Sequence, residues 1–446
     1  MANTYLTYTQ QSPSTVEGQK FTLSMWVKKC ANGTSQGLYG NTYSNTHRGY
    51  IYFTNGDYLS FYDSSGIHVE TNRKFRDNNA FYHIVISADT TQGTASDRIK
   101  FYINGVQETS FSTASYPTQN DGMKLMSTTN TPNMGRLVEA GTSYYLQGAI
   151  SHAHLTQGYT YDASAFGETD STTGEWKIKT SPTVANYGTN GFFILKDGNS
   201  LTDQSGNSNN FTVAGGTLTN TEDNPSNVFA TINPLVGPNL MGSTVIFANG
   251  NTHVQDPSGS ASGVNPYFSS TLGMPSKGKF YCELKPNSFS TSSGHGIGVF
   301  RTSSGDTRDS SNSSNQIRYI FADTSIYISK YGSSVQSGLT AISSGDIVGM
   351  ALDLDNGTLQ YYVNGVARGN QITGVSSAND GYDYFFFANL ESSSSGRYGR
   401  YYWNFGNGYF ATTAVSSAGT NASGNGIFEY DVPTGFTALS TKGLNL

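Results

Sequence analysis

The stretch that decides the fold reads Phe101-Tyr102-Ile103-Asn104-Gly105-Val106, and it returns almost unchanged as Tyr361-Tyr362-Val363-Asn364-Gly365-Val366. In each copy a strand-forming run enters an Asn-Gly pair. This pair is the strongest short-range hairpin signal, because a tight hairpin turn needs positive φ at both central residues. An apolar run precedes each copy, at residues 84–86 and 347–350. The repeat predicts two separate β-domains in one chain, each with this hairpin near its centre.

Alternating apolar and polar residues around both copies predict further half-buried strands, for example at residues 21–27 and 279–284. Between the two groups of strands the sequence becomes rich in turn-forming residues. We therefore predict an all-β fold with two antiparallel, jelly-roll-like β-sandwich domains joined by a turn-rich connector. The expected boundaries are 1–180 for the first sandwich, 181–245 for an extended connector that packs on it, and 246–446 for the second.

The bulk composition supports a folded β-protein and excludes several functional classes. Charged residues make up 13% of the 446 residues, hydrophobic residues 36% and aromatic residues 13%, which is too much apolar surface for a disordered chain. The formal net charge is −6 and no run of lysines and arginines occurs, so nucleic acid is not an expected partner. No segment approaches the roughly 18 consecutive apolar residues of a membrane span, so membrane insertion is not expected either.

The cysteines and the first residues bear on where the protein is made. The two cysteines, Cys30 and Cys282, fall in different predicted domains and indicate neither a disulfide framework nor a zinc site. The opening Met1-Ala2-Asn3-Thr4-Tyr5 has neither the basic nor the apolar region of a signal peptide. We expect synthesis in the host cytoplasm without a signal peptide. A surface-type β-composition in such a protein is typical of a virus particle component.

Two families are suggested by the strand motifs. Residues 21–27, 83–87 and 100–106 resemble the concanavalin A-like, laminin-G-like lectin sandwich. Residues 278–283, 296–299, 345–349, 353–359 and 363–365 resemble the SPRY-type sandwich, and Trp403-Asn404-Phe405-Gly406 is similar to its closing strand. The sequence departs from that pattern after Gly406, which leaves the last strands of the second domain undefined.

The order of these two domains resembles that of structural proteins from tailed bacteriophages. Segments at 166–176, 190–235 and 433–439 share this resemblance. It implies a virion component such as a fibre, spike or capsid decoration protein at the particle surface. It also implies a homo-oligomer, with a trimer favoured, whose partners are other virion proteins of the capsid or tail.

The lectin-like sandwich also occurs in glucanases, whose retaining members place three acids on one strand as E-x-D-x-E or E-x-D-x-x-E. The nearest match here is Glu168-Thr169-Asp170, but the third acid, Glu175, comes seven residues after Glu168. Thr172 and Thr173 occupy the required positions. A solvated loop is the favoured interpretation, and we predict that the protein is not an enzyme.

Three motifs carry side chains that bind metal ions in other proteins, but we expect neither a metal nor a cofactor at any of them. His152 and His154 would share one strand face, but an ordinary hydrogen-bonded pair is favoured. Residues 353–357 resemble a calcium loop, yet the glycine comes one residue early and Asn364 stands where a glutamate is needed, which favours a hairpin turn. Asp203 with Asn207 and Asn209 offers oxygen ligands, but turn-stabilising hydrogen bonds are the commoner role.

Carbohydrate binding requires aromatic faces beside planar polar groups, and two loops combine them. The first contains Tyr39, Tyr43, His47, Arg48 and Tyr50, and the second contains Arg301, Asp306 and Arg308. With 30 tyrosines in the chain such clusters arise by chance, and surface or interface packing is the favoured interpretation of each.

Three functions follow from these observations. The first is a non-enzymatic virion protein that adheres to host-surface polysaccharide. The second is a purely structural decoration or connector protein, and the third is a glycan-cleaving enzyme on a lectin-like fold.

Overall fold

The computed structural model describes residues 3–11, 18–44, 46–127, 131–196, 200–235, 245–256, 267–291, 294–303, 313–323, 325–376, 380–389 and 398–445. The chain divides into two units, Met1–Asn220 with Asn224–Ser226 and Thr221–Asp223 with Asn227–Leu446, which we call the N-terminal unit and the C-terminal unit. Among the described residues the regular elements are β-strands and short 3-10 helices, so the predicted all-β class is confirmed. None of the described helices has the length and apolar character needed to cross a membrane.

The N-terminal unit consists of two main antiparallel sheets with two small hairpins beside them. Its strands are β1 (Tyr5–Thr7), β2 (Lys20–Lys29), β3 (Gln36–Ser44), β4 (His47–Phe53), β5 (Tyr58–Asp63), β6 (Ile67–Lys74), β7 (Phe81–Asp89), β8 (Ile99–Ile103), β9 (Val106–Glu108), β10 (Phe111–Ser115), β11 (Asn133–Met134), β12 (Arg136–Glu139), β13 (Thr142–Tyr145), β14 (Gly148–Gln157), β15 (Gly167–Thr169), β16 (Trp176–Ile178), β17 (Phe192–Ile194) and β18 (Thr212–Gly215). The larger sheet has the order β10-β6-β5-β4-β3-β11-β1-β18, and the smaller has β17-β14-β2-β7-β8-β9. The pairs β12-β13 and β15-β16 form the hairpins, and 3-10 helices span Ala95–Asp97, Lys124–Met126 and Ala163–Ala165.

The C-terminal unit repeats this plan. Its strands are β19 (Ile246–Ala248), β20 (His253–Asp256), β21 (Tyr267–Ser269), β22 (Lys279–Phe289), β23 (His295–Ser303), β24 (Gln316–Ala322), β25 (Tyr327–Lys330), β26 (Ser333–Ser337), β27 (Val348–Asp353), β28 (Thr358–Val363), β29 (Val366–Thr373), β30 (Tyr382–Asn389), β31 (Gly399–Asn404), β32 (Tyr409–Phe410), β33 (Thr413–Ala414) and β34 (Thr437–Ala438). One sheet has the order β19-β20-β31-β22-β27-β28-β29, with β34 added parallel to β22, and the other has β21-β30-β23-β24-β25-β26. Short 3-10 helices span Ser313–Asn315 and Gly443–Asn445.

Each unit has its own apolar core between its two sheets. In the N-terminal unit, Phe21 of β2 meets Phe61 of β5 edge-on, with ring centroids 5.7 Å apart. In the C-terminal unit, Tyr361 of β28 donates a hydrogen bond across the core to the carbonyls of Ile297 and Ile317, at 3.2 and 3.3 Å. Because a buried Leu, Phe or Ile side chain contributes roughly 1.5–3 kcal/mol, each core is large enough to hold its own sandwich together.

The two units share one strand order. In the N-terminal unit β2 lies between β14 and the hairpin β7-β8, and in the C-terminal unit β22 lies between β31 and the hairpin β27-β28. The opposing sheet contains a meander in both units, β3-β4-β5-β6 in one and β23-β24-β25-β26 in the other. The sequence repeat is therefore the visible part of a repeated topology.

The repeated Asn-Gly pairs form the predicted turns. Asn104 and Gly105 have φ of 49° and 82°, and Asn364 and Gly365 have φ of 50° and 77°. The Asn104 side chain accepts a hydrogen bond from the His83 N–H at 2.8 Å, and Asn364 accepts one from the Ile347 N–H at the same distance. In both turns the side-chain carbonyl of the asparagine therefore binds the backbone near the start of the preceding strand, β7 in one unit and β27 in the other.

Residues 181–245, predicted as an extended connector, contribute to both units. Strand β17 pairs with β14, and β18 pairs with β1 at the edge of the larger N-terminal sheet. Further along, Phe229 forms a bridge with Ser440, and Ile232 forms one with Ser270, both inside the C-terminal unit. The division between the units therefore lies near residues 220–227, between the predicted boundaries at 180 and 245.

Candidate functional site

The outward face of the larger N-terminal sheet carries aromatic and charged side chains. Along β4 and β5, the alternate residues Ile51, Phe53 and Phe61 enter the core. The intervening side chains consequently lie on the opposite face. Its members, which we call the tyrosine face, are Arg48, Tyr50, Tyr52, Ser60, Tyr62, His68 and Glu70.

Strand pairing arranges these side chains in two rows across three strands. The first row is formed by Tyr50, Tyr62 and His68, which are direct cross-strand partners, and the second by Tyr52, Ser60 and Glu70. In the first row the Tyr50 and Tyr62 rings stack with centroids 5.2 Å apart, and His68 meets Tyr62 edge-on at 5.9 Å. Tyr52 and Tyr62 remain half-buried, so part of each ring faces solvent.

Arg48 lies at one end of the first row beside a carboxylate from a distant hairpin. Its guanidinium carbon lies 5.1 Å from the Tyr62 ring centroid. One terminal nitrogen is 3.6 Å from Glu139 Oε1, at the tip of the hairpin β12-β13, and the other donates to the Tyr62 hydroxyl at 3.5 Å. The bond to Tyr62 and the nearby negative charge of Glu139 raise the pKa of Arg48.

Tyr50 lies beneath this group and fixes the carboxylate. The Tyr50 hydroxyl donates to Glu139 Oε1 at 2.9 Å, and only 2% of the Tyr50 surface is exposed. Burial, and then the hydrogen bond to Glu139, raise the pKa of Tyr50. The phenol therefore stays protonated and holds Glu139 in place next to Arg48.

The first predicted cluster is only partly assembled, and its residues lie on strands β3 and β4, so the prediction that they form a loop was wrong. Arg48 and Tyr50 belong to the tyrosine face, and His47 is exposed at the start of β4. Tyr39 is instead fully buried in the core, with its hydroxyl 3.5 Å from that of Tyr8. A register shift between Gly37 and Tyr39 pairs Tyr39 with Ile51, and so turns the ring inward. The Tyr43 side chain lies outside the described residues.

Sequence analysis missed Tyr52, Tyr62, His68 and Glu139 as members of the site. His68 lies on β6, which was not predicted as a strand. Tyr52 and Tyr62 were within reach, because residues 50–53 and 58–62 alternate on either side of the turn-forming residues 55–57, which places Tyr62 beside Tyr50. Glu139 was not, since it reaches the face through a hairpin 89 residues from Tyr50.

In the second predicted cluster, only Arg301 belongs to the described residues. Its guanidinium lies between two rings, 3.9 Å from the centroid of Tyr331 and 4.4 Å from that of Tyr382. Asp306 and Arg308 lie outside the described residues. The contacts of Arg301 are those of a side chain packed within the C-terminal unit.

The candidate catalytic acids lie on the exposed hairpin β15-β16. Lys177 lies 2.8 Å from Asp170 and 3.9 Å from Glu168. Asp170 also accepts hydrogen bonds from the N–H groups of Thr172 and Thr173, at 2.8 and 3.0 Å. The hydrogen bond from Lys177 and those two backbone bonds hold the pKa of Asp170 below its usual range. These contacts keep Asp170 ionised and use it to close the turn.

The predicted histidine pair is separated by a bulge. The pairing of β14 with β2 shifts register between Ser151 and His154, and His152 has a φ of 47°. His154 is buried and stacks on Phe193 with centroids 3.8 Å apart, while its Nδ1 lies 3.0 Å from the Tyr187 hydroxyl. In the described part of the chain, no group of three or more His, Cys, Asp or Glu side chains is placed to hold a metal ion.

In the other two motifs considered as metal sites, Asp203 and Asp353 each stabilise a turn. Asp203 accepts hydrogen bonds from the N–H groups of Phe193, Ser205 and Asn209 at 2.8 to 2.9 Å. The Asn209 side-chain amide donates to the carbonyls of Thr189 and Gly191, at 3.0 and 2.8 Å, and so ties the turn to the residues before β17. Asp353 likewise closes the hairpin β27-β28 through the backbone and side chain of Asn356, at 2.9 and 2.8 Å.

Comparison with known proteins agrees with the fold of the N-terminal unit. Residues 2–160 match the family model described as the concanavalin A-like lectin/glucanases superfamily. A lectin/glucanase-like β-sandwich is compatible with carbohydrate binding. No curated protein matches the chain.

Solved structures with partial similarity include two SPRY domains and a toxin. The SPRY domain of human HERC1 is 18% identical, with 36% of this chain and 91% of that chain covered and a TM-score of 0.29. The TRIM65 PSpry domain is 16% identical. The match covers 39% of this chain and 91% of that chain, with the same TM-score of 0.29. Stonustoxin is 17% identical. The match covers 39% of this chain and 27% of that chain, with a TM-score of 0.28. TM-scores this low carry no argument about function.

Proposed function

We propose that this chain is a non-enzymatic virion protein of a tailed bacteriophage, exposed on the particle as a fibre, spike or capsid decoration. In this proposal it mediates adhesion to host-surface glycans through the tyrosine face. The observation that carries the proposal is the combination of a lectin-like sandwich with half-buried tyrosines and an Arg48–Glu139 pair on one sheet face. Aromatic surface with a few fixed polar groups is the usual composition of a small-molecule site.

A single face of this size binds weakly, so adhesion depends on copy number. We propose a homo-oligomer, with a trimer favoured, held on the particle by other virion proteins. Several faces engaging one polysaccharide raise the avidity by roughly 10²–10⁴-fold without any new contact. Weak binding at each individual face is then consistent with strong attachment of the whole particle.

The contacts of the acidic residues support a role without catalysis. A retaining glycosidase needs two carboxyl groups about 5–5.5 Å apart, one of them protonated to act as the acid. Here Lys177 lies 2.8 Å from Asp170 and 3.9 Å from Glu168, so one cation faces both acids and favours the ionised form of each, whereas the general acid must be protonated. Glu139 is held by Tyr50 and Arg48 and is the carboxylate that faces the tyrosine face from the hairpin.

The proposal is tested with purified particles and purified protein. Mass spectrometry of the particles should detect the chain, and its absence would remove a virion role. Binding of the purified protein to host cells and to a glycan array should be lost in Tyr62→Ala. The exposed Tyr159, 41% accessible and outside the tyrosine face, provides the matched control Tyr159→Ala, which should bind like the wild type.

Two results would favour the other functions. A protein that is present in particles but binds no glycan or cell would be a purely structural decoration or connector protein. Polysaccharide turnover that survives purification and disappears in Glu168→Gln would identify a glycan-cleaving enzyme.

A further inference from the structure

The tyrosine face presents an unused hydrogen-bond donor next to an unused acceptor. Glu139 Oε1 accepts from Tyr50 and faces Arg48, whereas no described residue donates to Oε2. Arg48 has five N–H donors, and its described hydrogen-bond and ion-pair contacts are with Tyr62 and Glu139. The side chains are 18% and 42% exposed for Arg48 and Glu139, so both groups are open to a ligand.

This pair suits two neighbouring hydroxyl groups. A hydroxyl both donates and accepts, so one can accept from Arg48 while its neighbour donates to Glu139 Oε2. Hydrogen bonds to charged partners are the stronger ones, and the planar guanidinium fixes their direction. The rings of Tyr62 and Tyr52 lie on the same face and offer apolar surface to the carbon side of the same molecule.

The charges of the face argue against an acidic ligand. Beside the guanidinium of Arg48 lies the carboxylate of Glu139 from the hairpin, and a second carboxylate, Glu70 of β6, lies in the other row with Ser60 and Tyr52. Lys74 is the last residue of β6 and lies over the ring of Tyr58 at 4.9 Å, at the other end of these strands, where it does not offset Glu139. A carboxylate or sulfate brought to Arg48 would meet the Glu139 charge directly, and like charges placed side by side are strongly unfavourable.

We infer that the tyrosine face selects neutral saccharides with adjacent free hydroxyls and rejects their acidic counterparts, with Glu139 as the residue that determines this specificity. The inference rests on the proposed glycan-binding function and assigns its ligand class. Arg48 donates to one hydroxyl, Glu139 accepts from the next, and Tyr62 packs against the ring of the sugar.

The test uses matched methyl glycosides that differ only at carbon 6, namely glucoside and glucuronide, mannoside and mannuronide, and galactoside and galacturonide. Binding to the full chain is measured by saturation-transfer NMR and by titration. For the pair that binds, the neutral member should bind about tenfold or more tightly than the acidic one. Glu139→Gln should reduce that preference about tenfold, because the neutral amide no longer repels the uronate.

A matched control and two contrary outcomes keep the inference separate from the proposed function. Glu175→Gln makes the same charge change at an exposed site on β15-β16 and should leave the preference unchanged. Stronger binding of the acidic glycoside, or an unchanged preference in Glu139→Gln, would overturn the inference while leaving glycan binding intact. Failure of every glycoside, and of host cells, to bind would overturn the proposed function and the inference together.

Discussion

At the residue scale, the protein buries several charged groups, and each is held by named partners. In the N-terminal unit, Lys29 is fully buried and forms an ion pair with Asp57, which also accepts from the N–H of Gly33 at 2.9 Å and lies 3.2 Å from Arg76. Burial alone would raise the pKa of Asp57, but the hydrogen bonds from Lys29 and Gly33 hold it below its ordinary value. This pair therefore folds as two charges and depends on both members.

Removing one member of that pair should be costly. We expect Asp57→Asn to lower the free energy of unfolding by about 3–5 kcal/mol, because it leaves the Lys29 charge buried without its counter-charge. Denaturant unfolding of the full chain measures the change. The exposed pair of Lys100 and Asp97, 3.3 Å apart, provides the control, and Asp97→Asn should cost less than about 1 kcal/mol. Equal losses in the two variants would show that burial is not the cause.

In the C-terminal unit, the buried carboxyl group of Glu283 is likewise held by several partners. Its carboxylate accepts from the N–H groups of Glu429 and Tyr430, at 2.9 and 3.0 Å, and from the side chains of Asn404 and Tyr281, at 3.2 and 3.3 Å. Burial nevertheless outweighs these donors and raises the pKa of Glu283 from 4.5 to about 7. The residue ties the segment near 429 to strand β22.

The raised pKa predicts a pH dependence of stability. Because the folded pKa exceeds the unfolded one, the contribution of Glu283 is complete below pH 4.5 and is lost as the pH rises through about 7. We expect the C-terminal unit to lose about 3 kcal/mol between about pH 5 and about pH 8, and Glu283→Gln to remove this slope. Unfolding at several pH values, with amide exchange at Glu429 and Tyr430, measures it. An equal slope in Glu283→Gln would assign the effect to another group.

At the scale of elements, the two Asn-Gly hairpins are covered in the same way. An aromatic ring from a later segment lies on each glycine, Trp176 on Gly105 and Tyr430 on Gly365. A Cβ added at either glycine would lie 2.5 or 2.6 Å from that ring. Each of the two glycines is therefore required for two reasons: it allows the positive φ, and it lets the aromatic ring approach closely.

Both requirements predict a large effect of a methyl group. We expect Gly105→Ala and Gly365→Ala each to lower the unfolding free energy by more than the roughly 1–3 kcal/mol of backbone strain alone. Gly33 has a φ of 74° with no atom within 4 Å of a Cβ, so Gly33→Ala isolates the strain. Trp176 fluorescence should shift in Gly105→Ala and not in Gly33→Ala. Equal losses in all three variants would mean that the rings do not contribute.

At the scale of the whole molecule, the described residues of each unit enclose a core of their own. The N-terminal core contains Phe21, Phe61 and Phe192, and the C-terminal core contains Trp403, Tyr361 and Phe386. A change inside one core should therefore leave the other unit intact.

Calorimetry of the full chain tests this separation. We expect two unfolding transitions, with Gly105→Ala lowering the midpoint of one and Gly365→Ala lowering the midpoint of the other. Midpoints of domains of this size move by about 2–4 °C for each kcal/mol. A single transition that both variants shift equally would contradict two independent cores.

Most of the fold was predictable, but only part of the site was. The Asn-Gly repeat and the alternation of residues such as 21–27 and 279–284 were enough to predict the all-β class. These signals are local, since turn geometry and the two-residue period act within a few positions. The division near residues 220–227 depends on long-range pairing, because β17 and β18 join strands far away in the chain.

The sequence by itself determined that the chain forms pleated sheets, and it determined the positions of the two Asn-Gly hairpin turns. The structure showed that Arg48 and Tyr50, which were predicted in a loop, lie on one strand. The tertiary structure alone decided that Tyr39 turns inward at a register shift and that Glu139 joins Arg48 and Tyr50 from a distant hairpin. The reason is physical: side-chain alternation is fixed by neighbouring peptides, whereas register and the meeting of remote hairpins depend on how whole sheets pack.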